Sequence, residues 1–308
     1  MASGDPVKVA VIGAGSIGSR HARILNELGH QVIVVSSHAQ FGNHQRIRDA
    51  LKQDQYEYVV VASKTSQHNS DLKELLSAGF AGKVLVEKPL FASTEKIQTN
   101  EFNLAAVGYN LRFHPAIRWL RTTLPQLGAI SSANFYVGQY LPTWRESRDY
   151  RTSSSASIDS GGGVLRDLSH ELDLAQLFFG NWHQLTAVGG KFSNLEIESQ
   201  DTFSILLQTE KSPVVSIQLN YLDRLSQRTV TINGDNGTIS LDLISGVARF
   251  NYVTETFRVE SDQTYTAQHN AMIAGESNEL CSFEQALAVL QTIEAIEIAS
   301  AKHVWVKK

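Results

Sequence analysis

Val7-Lys8-Val9-Ala10-Val11-Ile12-Gly13-Ala14-Gly15-Ser16-Ile17-Gly18 lies near the start of a chain of 308 residues. The first half reads as a buried strand, and three glycines follow it at once. Apolar residues then recur at Ile17, Ile24, Leu25 and Leu28, a helical stripe that Gly29 ends. A second strand, Gln31 to Val35, completes a strand, glycine turn, helix and strand in the order that a dinucleotide fingerprint requires. Gly13 permits the tight turn, Gly15 lets a pyrophosphate approach the backbone, and Gly18 lets the helix pack on the sheet. With Ser16 and Ile17 at the helix N-terminus, these are the expected phosphate contacts. After the second strand the chain reads Ser36-Ser37-His38, with no carboxylate before Asp49. An acid there would hydrogen-bond an adenosine ribose; hydroxyls and a histidine leave room for a 2′-phosphate. The cofactor is expected to be NADP or NAD, with NADP slightly favoured.

Working outward, Tyr58 to Ala62, Lys83 to Val86 and Leu104 to Val107 read as further buried strands, with a helix carrying Leu72, Leu75 and Leu76 between the first two. Strands alternating with helices imply right-handed crossovers and a parallel sheet. Glu87-Lys88-Pro89 follows one strand directly, and proline, lacking an N–H, stops the ladder there. Lys88 is thereby fixed at a strand's carboxyl end, where ligands of open parallel sheets bind, and can act as a general acid or base.

The glycine turn, Thr65-x-x-His68, Glu87-Lys88-Pro89 and Gly108-Tyr109-Asn110 resemble, in order and spacing, the Gfo/Idh/MocA oxidoreductases. The resemblance covers nearly the whole chain. It implies that Lys88 lies beside a nicotinamide and a reacting carbinol, and that Thr65, His68 and Glu87 neighbour the cofactor. Tyr109, Asn110 and Arg112 become candidate substrate contacts.

Beyond Pro115 a short helix gives way to period-two strands: 133–137, 185–188, 203–207, 215–221, 230–232 and 239–243. Asp235-Asn236-Gly237 marks a hairpin turn. A mostly antiparallel, open sheet with helices on one face is the economical solution. One helix is expected from Gly163 to Gly180, burying Leu165, Leu168, Leu172, Ala175 and Phe179. On it Asp167 and His170 are i,i+3 neighbours, a pair suited to moving a proton. The resemblance gives this pair a catalytic role; the usual Asp-x-x-x-His is Asp-x-x-His here, so His170, in frame with Asp173, is the firmer assignment. Upstream, Trp144-Arg145-Glu-Ser-Arg148-Asp-Tyr150-Arg151 suggests a substrate wall, with Trp144, Arg145 and Arg151 as contacts and an anionic group on the substrate.

The fold class expected is an N-terminal α/β Rossmann domain (residues 1–112) followed by an α+β domain (residues 113–308). The last strand, near His303 to Val306, is expected to pack back on the first domain. A capping box, Ser282-x-x-Gln285, opens the C-terminal helix. Net charge is −4, with 42% apolar and 19% charged residues, which gives no reason to expect nucleic acid or an anionic membrane as partner. One cysteine, Cys281, excludes an intramolecular disulfide and is expected to fill the core. No stretch approaches the ~18 apolar residues of a membrane helix, no signal peptide is evident, and the histidines show no ligand spacing. A cytoplasmic homo-oligomer, dimer or tetramer, without a metal is expected. The function implied is hydride transfer between a nicotinamide and the secondary alcohol or ketone of a sugar-like substrate. A non-catalytic nucleotide-binding regulator, or a reductase of C=N or pyrrole-type substrates, is the alternative.

Overall fold

A computed structural model describes residues 5–94, 101–144 and 149–308. The chain divides into two compact units, residues 1–113 with 261–290, and residues 114–260 with 291–308.

The first unit is built in chain order from β1 (Lys8–Ile12), α1 (Ser16–Glu27), β2 (Gln31–Val35), α2 (Ile47–Gln53), β3 (Tyr58–Val61), α3 (His68–Ser77), β4 (Lys83–Val86) and β5 (Leu104–Val107). Every residue of β3 is buried, as are Val84 to Val86, because helices cover both faces of a parallel sheet and leave no polar side. The hydrogen-bond ladder runs one step past the strands: Gly13 N–H donates to the Val35 carbonyl, Ala62 to Ile12, Glu87 to Val61 and Gly108 to Val86, each at 2.8 Å. The carboxyl ends of β1, β3 and β4 therefore finish level.

The second unit contains α4 (Pro115–Thr123), β6 (Ile130–Gly138), α5 (Val164–Asp167), α6 (His170–Phe179), β7 (Trp182–Gly190), β8 (Thr202–Thr209), β9 (Val215–Asn220), β10 (Gln227–Gly234), β11 (Gly237–Asp242), β12 (Val247–Phe250) and β13 (Val253–Thr256). These strands and the last one form a nine-stranded sheet in which β6 and β9 run parallel and every other pair is antiparallel. β10 and β11 turn through Asp235-Asn236, with Gly234 paired to Gly237, as the hairpin signal predicts. One face carries buried Ala133, Phe135, Val137, Ile205, Ile217 and Leu219; the other carries exposed Asn134, Ser204, Leu206 and Gln218.

The chain then returns to the first unit with α7 (Gln263–Ala274) and β14 (Cys281–Ser282), the latter antiparallel to β5. This departs from a second domain running unbroken from 113 to 308. Arg20 and Arg23 grip Asp262 at 2.6 and 2.5 Å, the Lys83 ammonium donates to the Ile273 carbonyl, and Cys281 is fully buried beside Val107. α8 (Phe283–Lys302) opens on the predicted capping box: Ser282 N–H donates to Gln285 Oε1 at 3.1 Å, and Gln285 N–H to Ser282 Oγ at 3.2 Å. Its stripe of Ala286, Val289, Leu290, Ile293 and Ile296 is buried. β15 (Val306–Lys307) pairs with β7 in the second unit, not with the first domain.

The single helix expected from 163 to 180 is two. Leu168 leaves helical geometry (φ −102°, ψ 31°) and Ser169 Oγ–H donates back to the Arg166 carbonyl, a local bond that competes with the helix. The five residues of the expected stripe are buried nonetheless. Among the described residues no helix is long and apolar enough to cross a membrane.

Candidate active site

In the first unit the glycine turn has the geometry its residues imply. Gly13 sits at φ +103°, and a Cβ there would lie 2.5 Å from the Ala62 carbonyl oxygen. A Cβ on Gly18 would lie 2.0 Å from the Gly13 carbonyl oxygen, so α1 can close on its own turn only without a side chain. Nothing lies within 4 Å of a Cβ position on Gly15, which caps α1 with no side chain satisfying the first-turn N–H groups. An open, uncapped helix start of this kind fits a dinucleotide's diphosphate. Ser16 is exposed and Ile17 half-buried beside it.

Beyond β2, Ser36 is buried and its Oγ accepts from His38 N–H at 3.2 Å, whereas Ser37 and His38 are exposed. Ser36 therefore shapes the loop, and the other two are the exposed residues of the segment. Beyond β3, Thr65 is half-buried and opens a short turn. His68 is buried, with Nδ1 3.0 Å from the Leu90 carbonyl and Nε2 3.2 Å from the Ser63 carbonyl. Burial lowers its pKa against the pull of these two carbonyls, and the ring ties the β3 turn to the segment after Pro89.

The first turn of α3 holds Asp71, whose Oδ2 accepts from Ser63 Oγ at 2.5 Å. Burial raises its pKa to about 6, with the Ser63 bond opposing the shift. A carboxyl whose folded-state value exceeds its unfolded value binds more protons when folded, so its contribution to stability falls as pH rises from about 4 to about 6. Asp71→Asn is expected to raise the melting temperature at pH 7.5 and to have little effect at pH 4, as read by calorimetry at both pH values. Equal effects at the two would rule out a titrating Asp71.

Lys88 is half-buried beyond β4, and its backbone N–H donates to Glu87 Oε2 at 3.1 Å. The Lys88–Pro89 bond is cis. Glu87 is 7% exposed and its Oε1 lies 2.9 Å from His21 Nε2. Desolvation, the largest single effect, raises its pKa, but the His21 hydrogen bond, the Lys88 charge and the Lys88 N–H outweigh it and the net shift is downward. Behind it, His21 Nδ1 is 2.9 Å from His269 Nε2, and His269 Nδ1 is 2.9 Å from Tyr58 Oη. Sequence reasoning passed over His21, His269 and Tyr58. The one signal was a histidine standing inside the apolar stripe of α1, between Ile17 and Ile24.

Three residues marked for substrate are buried in the first unit. Tyr109 is 1% exposed, and Asn110 donates to Thr264 Oγ1 at 2.7 Å. The Arg112 guanidinium donates to the Leu280 carbonyl at 3.1 Å and to Gln285 Oε1 at 2.8 Å. Arg112 braces the returning segment 261–290.

In the second unit His170 opens α6 and is buried, as is Asp173 on the same helix. Asp167 ends α5 and accepts from Tyr221 Oη–H at 2.6 Å. Tyr221 holds its proton far above the usual range, through burial first and the Asp167 charge next. The Trp144 ring meets Tyr221 edge to face, centroids 5.2 Å apart. The structure thus brings Trp144 to Asp167 through Tyr221, a partner the sequence showed only as a strand residue. Arg151 is engaged by Asp149 and Glu196, each at 2.7 Å. Arg145 and Arg148 lie outside the described residues. Among the described residues no group of three or more His, Cys, Asp or Glu is placed to hold a metal.

A model of an oxidoreductase family with an NAD-binding Rossmann fold matches residues 7–105, and the Gfo/Idh/MocA C-terminal domain model matches residues 125–240. Inositol 2-dehydrogenase of Acidothermus cellulolyticus is 26% identical over 267 residues, spanning 78% of this chain and 74% of that protein. Levoglucosan dehydrogenase in complex with NADH superposes with a TM-score of 0.85 at 17% identity, over 98% of this chain and 99% of that one. The WlbA dehydrogenase from Bordetella pertussis, in complex with NADH and UDP-GlcNAcA, gives 0.78 at 16% identity, over 98% and 99%. At these identities the structural likenesses carry the fold alone.

Proposed function

The chain belongs to the Gfo/Idh/MocA oxidoreductases, NAD-dependent dehydrogenases of CH–OH groups, and from that premise we propose that it oxidises or reduces a secondary alcohol carbon of a sugar or polyol. The observation that supports this most is the level carboxyl edge of β1, β3 and β4, which sets the glycine turn, Thr65 and Glu87-Lys88-Pro89 side by side. When bound, the cofactor's nicotinamide supplies the hydride donor or acceptor. Gly13, Gly15, Ser16, Ile17 and Gly18 hold its diphosphate, and Thr65 lines the same edge. Lys88, on a rigid strand end, hydrogen-bonds the reacting oxygen. His170 of the second unit is the proposed proton acceptor, and Asp167, bonded to Tyr221, has a positioning role at most.

A neutral sugar or polyol suits the described residues better than an anion. Arg151 is already neutralised by two carboxylates, and the anionic reading then rests on Arg145 and Arg148 alone. Steady-state kinetics on inositols, neutral sugars, sugar acids and nucleotide sugars tests this; a preference for the charged members would reverse it. The second unit's open sheet face, with Leu206 and Val188 exposed, supports assembly with further copies of this chain, which light scattering would reveal.

For the cofactor, the absence of a carboxylate at Ser36-Ser37-His38 supports NADP being accepted at least as well as NAD. Fluorescence titration is expected to give an NADPH dissociation constant no larger than that of NADH, and Ser37→Asp to reverse the order. A strong preference of the unaltered protein for NADH would refute this.

A further inference from the structure

Tyr58, His269, His21 and Glu87 form one unbroken hydrogen-bonded line through the interior of the first unit, with three links of 2.9 Å each. Tyr58 is 1% exposed and both histidines 0%, so water cannot substitute for any partner. The line comes from four elements, β3, α7, α1 and the end of β4, and it stops at the carboxylate whose other oxygen receives Lys88 N–H.

Proton counting fixes its direction. Ionised Glu87 can only accept, so His21 must donate from Nε2. If His21 is neutral, its Nδ1 accepts from His269 Nε2–H, and His269 Nδ1 accepts from Tyr58 O–H. Every link then has one proton and every group a partner. The alternative adds a proton to His21, reverses the His269 tautomer and turns the Tyr58 hydrogen away. Among the described residues no other acceptor of the Tyr58 hydroxyl is found, so that arrangement leaves a buried donor unsatisfied. Burial keeps His269 neutral and holds the proton on Tyr58. The other polar or titratable groups against the line are Tyr265 of α7, edge-on to His21 and under the Arg20 guanidinium, and His68 of α3, which senses the Glu87 charge.

We propose that Tyr58, His269 and His21 are a positioning relay that holds Glu87 as a fixed anion beside Lys88, and that this anion sets the pH range over which Lys88 works. The inference rests on the reading of Lys88 as the group that handles the substrate oxygen. Core packing alone would need no such alignment of donors.

The test uses the full chain with bound NADH and ¹⁵N-labelled histidine. At neutral pH both His21 and His269 are expected to be neutral and protonated at Nε2; an imidazolium at either overturns the relay. Glu87→Gln keeps the shape and removes the charge. It is expected to lower kcat at least tenfold, to leave the NADH dissociation constant within about twofold, and to move the limb of the kcat profile that reports Lys88 to lower pH. Tyr58→Phe, three links away, should move the His269 nitrogen resonances and shift the same limb by a smaller amount in the same direction. Variants that melt earlier but keep the unaltered pH profile would make the line a structural feature only. Should Lys88→Ala retain full turnover, the reading of Lys88 fails, while the histidine spectra still report separately on the line.

Discussion

Lys88→Ala is expected to lower kcat by about 10²–10⁴, the span typical of a positioned acid or base, with the NADH dissociation constant nearly unchanged. The expectation follows from placement. β4 is buried, and its ladder continues one residue further, through Glu87 N–H to the Val61 carbonyl. The Lys88 backbone is thus fixed by the sheet on one side and by Glu87 Oε2 on the other, while the side chain is half-buried at the edge. On the proposed role, losing the ammonium removes a proton-handling group without disturbing the glycine turn, which lies two strands away across the sheet. Stopped-flow measurement of cofactor reduction separates the chemical step from product release. Near-normal turnover would remove Lys88 from the chemistry.

Glycine replacements at the turn should divide cleanly into two kinds. Gly18→Val puts a branched side chain where even a Cβ would meet the Gly13 carbonyl oxygen at 2.0 Å. The turn must open or α1 must tilt, at a cost of about 1–3 kcal/mol. Drawn from binding, that weakens the dinucleotide roughly ten- to a hundredfold, and the melting temperature falls as well. Gly15→Ala meets nothing within 4 Å, so the apoprotein should melt as before. Its methyl group instead projects where the diphosphate approaches, and NADH affinity should fall with no loss of stability. Calorimetry of the apoproteins with NADH titration of each separates the two. Normal NADH binding by Gly15→Ala would show that the diphosphate does not use this turn.

The first domain was legible because its signals are local and redundant. Buried apolar runs marked β1 to β5 with their order, and glycines marked the ends of α1 and α3, where Gly29 and Gly79 take positive φ. α7 was not legible: its buried face carries Thr264, Gln268 and His269, so no apolar stripe announces it. For the same reason the return of residues 261–290 to the first unit went unread, since arginine–aspartate contacts and a two-residue strand bring it back. The break at Leu168 was hidden because the apolar spacing continues across it while a serine hydroxyl redirects the backbone. β12 and β13 are short, and β13 is exposed throughout, which leaves no alternation to read.

At the candidate site, the glycine turn and the Glu-Lys-Pro turn could be located from residue type because glycine and proline set their backbone geometry. Partnerships between distant side chains could not. Nothing in the sequence links Tyr221 to Asp167, or Tyr58 to His269, since each pair depends on how strands and helices stack. Arg112 and His68 show the converse: residue types suited to ligands, consumed by backbone carbonyls inside the fold.

The most direct test of nicotinamide-dependent carbinol chemistry is a label transfer. The protein is incubated with oxidised cofactor and a panel of polyols and sugars deuterated at their carbinol carbons, and the reduced cofactor is examined by mass spectrometry and NMR. The account predicts that at least one substrate delivers its deuterium to C4 of the nicotinamide, and that Lys88→Ala slows that transfer by about 10²–10⁴. Tight cofactor binding with no deuterium transferred from any carbinol would contradict it.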